Sequence, residues 1–240
     1  MEDKMQLSKR LQAVADFVTK GNRVADVGCD HAYTSIFLAK NKIASHVIAM
    51  DINQGPIDRA KENIVKYGCQ EQIDVRKSNG LEKLNIGEAD TIIIAGMGGA
   101  LMAQILTDRI EIMRSVHELI LQPQSEIHKV RQLLTNQEFI IREENMLKED
   151  GKYYVMMKAT QKQANEKDIN DKLTEEEHFH YGKLLLQGQN PVLKEFLLWD
   201  LKICNEIKIA LGDNHTEQTA QRGKELQDRI ELINRGLKYF

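Results

Sequence analysis

Residues 23–33 read RVADVGCDHAY, and this stretch decides the fold. Its first five residues predict a buried β-strand that runs into Gly28, and the apolar residues after Tyr33 continue as a helix. Four further apolar strand segments alternate with helical segments, at residues 47–50, 73–75, 91–95 and 119–121. This alternation predicts an α/β fold, in which helices cover both faces of a parallel sheet.

The chain around this pattern predicts two domains. Strand-like segments at 139–143 and 153–157 flank a polar turn, which predicts an antiparallel hairpin at the sheet edge and a first domain of residues 1–160. Residues 161–240 form the predicted second domain, which begins with a polar linker over 161–172. Its two apolar stripes predict an antiparallel helical hairpin with a break at 212–214. The first stripe is Leu193, Leu197, Leu201, Cys204 and Leu211, and the second is Leu226, Ile230, Ile233 and Leu237.

Composition narrows the function classes. The 240 residues include 33 basic and 36 acidic side chains, so a polyanion must be bound by a local patch because the net charge is −3. No apolar run approaches the ~20 residues of a membrane span. The three cysteines form no CxxC pair, which argues against a structural zinc site and favours the reducing cytoplasm.

The ends of the first two strands predict a nucleoside ligand. Gly28 lets a ligand approach the backbone, and Asp51 closes the second strand, where a carboxylate accepts hydrogen bonds from ribose hydroxyls. The GxGxxG pattern of a dinucleotide site is absent, and Asp30 would repel a pyrophosphate at the helix N-terminus. A nucleoside with a cationic end fits better, because Asp26 and Asp30 attract positive charge. S-adenosylmethionine is such a ligand.

Segments after the later strands each leave two interpretations. Asn79 and Gly80 either contact the adenine amino group of the ligand or form an ordinary Asn-Gly turn. The glycine-rich stretch 95–99 either admits a flat base beside the methyl donor or is a turn that serves packing. Residues 122–124, QPQ, either contact the substrate or form a turn. His31 and Tyr33 either line the cleft or only pack the helix.

Five features together resemble the TrmK family of bacterial tRNA (adenine(22)-N1)-methyltransferases: VADVGCDHAY, MDINQGP, IAGMGG, LQPQ and a C-terminal helical hairpin. The resemblance implies a Rossmann-like class I methyltransferase domain with a coiled-coil-like C-terminal domain. That helical domain is either a tRNA-docking arm or a structural cap or dimer interface. It also implies S-adenosylmethionine as donor, no metal, and a tRNA substrate methylated at N1 of adenine 22. Asn79 stands where some proteins of this fold carry Asp.

The predicted site follows from the motifs and this resemblance. The cofactor-binding residues are Asp26, Gly28, Asp30, Asp51, Ile52, Asn79, Gly80, Ala95 and Gly96, and the catalytic residues are His31, Tyr33 and Met97. We expect a cytoplasmic monomer that binds no membrane. The alternatives are a methyltransferase acting on another RNA or a small-molecule nitrogen, a nicotinamide-dependent oxidoreductase, and a non-catalytic RNA-binding protein that keeps the fold.

Overall fold

The computed structural model describes residues 5–162, 173–211 and 217–240. The chain forms two compact units, Met1–Lys172 and Leu173–Phe240. The predicted linker lies almost wholly outside the described residues, as does the predicted helix break at 212–214. None of the described helices is both long enough and apolar enough to cross a membrane.

The first unit is built on a seven-stranded sheet of order β3-β2-β1-β4-β5-β7-β6. The first five strands are parallel, and the last two are antiparallel to their neighbours, as the predicted hairpin requires. The strands are β1 Arg23–Val27, β2 His46–Asp51, β3 Ile73–Lys77, β4 Thr91–Gly98, β5 Glu118–Ser125, β6 Phe139–Glu149 and β7 Lys152–Gln161. The fourth strand extends through residues 96–98, three residues beyond the predicted strand of 91–95.

Helices cover the sheet and position its ligand-binding edge. They are α1 Lys9–Asp16, α2 Tyr33–Lys40, α3 Gln54–Lys66, α4 Gly99–Asp108, α5 Ile110–Met113 and α6 Ile127–Asn136. The third helix begins at Gln54, two residues before Pro56. Chain order reverses between β1 and β4, and ligands of open α/β sheets bind at this switch point, outside the carboxyl ends of the strands.

A carboxylate from the hairpin fixes the N-terminal helix. Glu149, the last residue of β6, accepts hydrogen bonds from the backbone N–H groups of Lys9 at 2.7 Å and Arg10 at 3.2 Å. The Ser8 hydroxyl accepts a third from the N–H of Leu11 at 3.3 Å. These groups have no partner within the helix, and a carboxylate there also meets the positive end of the helix dipole. The start of α1 is therefore tied to the far end of the same unit.

The second unit contains four helices: α7 Glu176–Tyr181, α8 Lys183–Gln187, α9 Pro191–Leu211 and α10 Glu217–Leu237. The first two were not predicted. Asn190 caps α9, because its Oδ1 accepts hydrogen bonds from the N–H groups of residues 192 and 193, both at 3.0 Å. The long helices pack antiparallel: Leu197 lies beside Gly236, and Lys208 donates to Gln227. A coiled-coil geometry for this pair stays a prediction.

The interface of α9 and α10 contains residues of the predicted apolar stripes and a buried carboxylate, Asp200. Leu197, Cys204 and Ile233 are buried as expected. Asp200 is buried on the same face, because Arg229 donates two hydrogen bonds to its carboxylate, at 2.6 and 3.0 Å. A charged residue inside an apolar stripe therefore marks an ion pair that joins the two helices.

Candidate active site

A cleft of about 420 Å³ opens at the carboxyl ends of β1, β2 and β4. Predicted site residues supply most of its lining: Asp26, Gly28, Asp30, His31, Tyr33, Asp51, Ala95, Gly96 and Met97. The remaining three predicted residues, Ile52, Asn79 and Gly80, are not among the described residues that line it. The fold thus brings together side chains from three strand ends at the switch point of the sheet.

Gly28 forms the floor of the cleft, in a turn that only glycine fits. Its φ is +75°, and the N–H groups of Gly28 and Cys29 both donate to the carbonyl of Met50, at 2.8 and 2.9 Å. A Cβ atom on Gly28 would lie 2.1 Å from Cε of Met97. The thioether methyl therefore packs directly on the glycine backbone and links the first and fourth strand ends.

Asp26, at the end of β1, contributes a buried carboxylate to the same cleft. It is 5% exposed, and the Ser35 hydroxyl donates to it at 2.6 Å. Burial raises the pKa of Asp26 to about 6; the Ser35 hydrogen bond opposes the rise, and the negative charge of Asp51 adds to it. At neutral pH the group is largely ionised in a place that disfavours its charge. A cationic ligand group would relieve this cost.

Asp51 lies at the end of β2, at the position of a ribose acceptor. The N–H of Asn53 donates to its Oδ1 at 2.9 Å, which fixes the carboxylate at the cleft. Asp30 also lines the cleft, with a side chain that is 68% exposed. The described lining thus carries three carboxylates, which suits a ligand with positive charge and free hydroxyls.

An aromatic pair lies at the mouth of the cleft. The rings of His31 and Tyr33 stack with centroids 5.6 Å apart and planes 17° apart. Tyr33 is 41% exposed, and the backbone of the turn is held by Asn63, whose side-chain amide donates to the carbonyl of His31 at 3.0 Å. A flat, half-exposed ring in this position offers a stacking surface for a base.

The loop after β3 contributes no residue to the described cleft lining. Asn79 is exposed, and its Nδ2 donates to Glu82 at 2.9 Å. Ser78 accepts from the N–H of Lys83 and donates to the carbonyl of Gly80, so the loop carries its own hydrogen-bonded turn. The Asn79 Oδ1 atom is the acceptor that an adenine amino group needs. The roles of Asn79 and Gly80 in adenine binding stay predictions.

Seven residues of the described lining were not in the predicted site, and two of them, Arg10 and Gln124, carry polar side chains from outside the β1 and β2 turns. The QPQ segment after the fifth strand was visible in the sequence, and its last residue reaches the cleft. Arg10 carried no signal, because it lies on a helix that precedes the sheet in the chain. Its Nη1 donates to Oε1 of buried Gln122 at 2.8 Å, and its guanidinium lies 5.5 Å from the Tyr154 ring centroid.

Within the described part of the chain, no group of three or more His, Cys, Asp or Glu side chains is arranged to hold a metal ion. Cys29 lies in the cleft, but burial raises the pKa of its thiol well above the usual range, with Asp26 and Asp51 adding to the effect. A thiol in that state is a poor nucleophile. The cleft offers a ligand its carboxylates, aromatic rings and one guanidinium, together with the polar side chains of Thr34, Asn53 and Gln124.

Fold and cleft together define a methyltransferase of the Rossmann-like class, and the family described as "Methyltransferase domain" matches residues 7–157. A Bacillus subtilis tRNA (adenine(22)-N(1))-methyltransferase is 36% identical over 96% of this chain and 97% of its own length. The chain therefore belongs to the TrmK family of tRNA (adenine(22)-N1)-methyltransferases, and it is an enzyme of the S-adenosylmethionine-dependent kind.

Solved structures agree with this assignment. The crystal structure of the Bacillus subtilis enzyme TrmK is 35% identical, with a TM-score of 0.86, and the match covers 97% of this chain and 99% of that one. A Streptococcus pneumoniae protein, described as a putative tRNA methyltransferase in complex with S-adenosyl-L-methionine, is 31% identical with a TM-score of 0.83. That match covers 97% of this chain and 100% of the other, so both units of the fold are shared.

The contact between Gly28 and Met97 predicts the effect of adding one methyl group. In Gly28→Ala the new Cβ displaces Met97, and we expect affinity for S-adenosylhomocysteine to fall at least tenfold by calorimetry. Gly87→Ala is the matched control, because Gly87 has φ +82° and nothing within 4 Å of an added Cβ. It should cost about 1 kcal/mol of strain and no affinity. Equal effects of the two substitutions would contradict the contact.

The raised pKa of Asp26 predicts a conflict between stability and binding. An unfolded Asp has a pKa of about 3.9, so the ionised buried form costs stability that grows as pH rises through 6. Asp26→Asn should therefore raise the free energy of unfolding by on the order of 2 kcal/mol at pH 8, with a smaller gain at pH 5. The same variant should bind S-adenosylmethionine more weakly.

Urea denaturation at the two pH values and calorimetry measure these effects. Asp30→Asn is the control, because Asp30 is an exposed carboxylate of the same cleft and its removal should leave stability within about 0.5 kcal/mol. An Asp26→Asn protein that is less stable than the parent at pH 8 would show that the Ser35 hydrogen bond outweighs the cost of burial.

Proposed function

We propose that this chain transfers the methyl group of S-adenosylmethionine to N1 of adenine 22 in tRNA. The observation that carries the proposal is the 36% identity with the Bacillus subtilis tRNA (adenine(22)-N(1))-methyltransferase, which spans 96% of this chain. The cleft agrees with it, because it combines a predicted ribose acceptor, buried negative charge and an exposed aromatic ring. We place the protein in the cytoplasm with its substrate, and we expect a monomer.

The reaction requires mainly that the protein align adenine N1 with the methyl carbon and the sulfur of the donor. When bound, the donor supplies a methyl carbon on a positively charged sulfur. The N1 lone pair of adenine forms the new N–C bond as the C–S electron pair returns to sulfur, so no base is needed before attack. Holding the two atoms in line is a proximity effect. Because N1 lies on the pairing edge, the target nucleotide must leave its stack to enter the cleft.

Residues at the end of β4 and on the β1–α2 turn suit the incoming base. Ala95 and Gly96 line the cleft, and in this proposal their main-chain carbonyls accept hydrogen bonds from the adenine N6 amino group. Tyr33 offers its exposed ring for stacking, and Met97 contacts the base or the donor. The methylated base carries a positive charge, which the carboxylates of Asp26 and Asp30 stabilise.

We propose that the C-terminal unit docks tRNA through exposed lysines. A cleft that receives one nucleotide cannot by itself hold a tRNA, so contacts to backbone phosphates must lie elsewhere. Three arginines of this unit form ion pairs, Arg222 with Glu225, Arg229 with Asp200 and Arg235 with Glu176. Lys202 is 74% exposed, and its pair with Glu206, at 3.8 Å, is exposed to solvent and therefore weak, so a phosphate can compete for it.

The methylation site is tested with unmodified tRNA transcripts. Labelled S-adenosylmethionine and a transcript carrying adenine 22 should give 1-methyladenosine on nucleoside analysis. A transcript with guanine at that position is the control and should give no label above background. Label on another nucleoside, or equal label in both transcripts, would overturn the proposed function.

The docking role is tested by two neighbouring substitutions of opposite sign. Lys202→Gln removes a cation from α9, and Glu206→Gln removes the carboxylate 3.8 Å from it. We expect the first to weaken tRNA binding several-fold and to reduce the slope of log affinity against log salt by about one, and the second to strengthen binding. Donor affinity should stay unchanged in both. If both variants bind tRNA like the parent, α9 does not meet the phosphate backbone.

A further inference from the structure

The described cleft lining carries more acidic than basic side chains. Among the described residues that line it, three are carboxylates and one, Arg10, is a Lys or Arg. The donor carries an ammonium and a sulfonium, which the carboxylates attract, and also a carboxylate at its amino-acid end. A carboxylate brought among Asp26, Asp30 and Asp51 needs a cation or several hydrogen-bond donors to offset the repulsion. Arg10 is the group in the described lining that supplies both.

The order of the strands sets the direction in which the donor lies. Asp51, the predicted ribose acceptor, closes β2, and Gly28 follows β1. In the order β2-β1-β4-β5, a ligand whose nucleoside rests at β2 directs its other end toward β4 and β5. Arg10 lies on that side. Its Nη1 is 3.6 Å from the place of a Cβ on Gly96, in β4, and it donates to Gln122, in β5.

The guanidinium is held in place before any ligand arrives. Gln122 is fully buried, and it accepts from Nη1 at 2.8 Å. The guanidinium carbon lies over the Tyr154 ring, 5.5 Å from its centroid. Glu149 holds the backbone of Arg10 by accepting a hydrogen bond from its N–H at the start of α1. A guanidinium has five N–H donors in a planar fork, which suits two parallel hydrogen bonds to a carboxylate.

We propose that Arg10 binds the carboxylate at the amino-acid end of the methyl donor, and that Glu149 is the positioning residue that holds it there. The inference deepens the proposed function and rests on it for the identity of the donor. It makes the N-terminal helix part of the donor site. It also makes the hairpin of β6 and β7, through its tip, a determinant of donor affinity.

A pair of donors that differ by one group tests the first part. Decarboxylated S-adenosylmethionine keeps the nucleoside, the sulfonium and the ammonium and lacks only the carboxylate. By calorimetry without tRNA, we expect the parent protein to prefer the complete donor at least tenfold, since hydrogen bonds between charged groups are the strong ones. Arg10→Met should remove this preference by weakening the complete donor alone. Arg10→Lys should keep part of it.

Arg59→Met is the matched control. Arg59 is the neighbour of Asp30 at 3.9 Å on the outer rim, and its loss changes the field felt by the ammonium of both donors equally. The preference should therefore persist. If Arg10→Met weakens both donors alike, or weakens neither and lowers tRNA affinity instead, Arg10 does not hold the donor carboxylate. The second of these outcomes would assign it to a phosphate of the RNA.

The positioning role has its own readout. Glu149→Ala removes the acceptor of two helix N–H groups and should reduce the preference for the complete donor without changing affinity for the decarboxylated one. Glu149→Gln keeps an acceptor oxygen and should restore most of the preference. A loss that is equal for both donors, or no loss, would overturn the role. These binding measurements contain no tRNA. A protein that prefers the complete donor but methylates no tRNA would therefore contradict the proposed tRNA substrate and leave the role of Arg10 intact.

Discussion

The contact between the backbone of Gly28 and the methyl group of Met97 is the constraint on which the site depends. A parallel sheet brings the ends of β1 and β4 together at its switch point, but a ligand can lie there only if one of the two turns carries no side chain. The positive φ of Gly28 and the two hydrogen bonds to Met50 hold that turn open. Met97, flexible and polarisable, then packs against it.

The buried carboxylate of Asp26 lowers the stability of the fold in the absence of a ligand. Asp26 is held in a place where burial penalises its charge, and the hydroxyl of Ser35 offsets only part of the penalty. An apolar residue of similar size would suit the isolated sheet better. The charge makes sense only when a cation occupies the cleft. Stability and donor binding therefore make opposite demands on this residue.

The sequence predicted the parts of the structure that repeat a simple pattern. The run 91–94 combines β-branched residues with complete burial, and the two long helices at the C-terminus carry clear apolar stripes. The helices α7 and α8 escaped notice because six and five residues are too short for a periodic signal. Asp200 was missed because an ion pair with Arg229 is visible only after the helices pack. Most of the predicted site residues line one cleft because they lie at strand ends, whereas Arg10 enters it from a helix whose position depends on long-range packing.

The bond between Glu149 and the start of α1 also orders events during synthesis of the chain. The two partners are 140 residues apart in sequence, so the first helix leaves the ribosome long before its cap exists. Strands β1 to β5 can pair in the meantime, since they need only residues that precede the hairpin. Arg10 can reach Gln122 in β5 at that stage, but Glu149 and Tyr154, which hold its backbone and its guanidinium, come only with the hairpin. The group proposed to bind the donor carboxylate is therefore fully supported only after the last two strands of the sheet have been made.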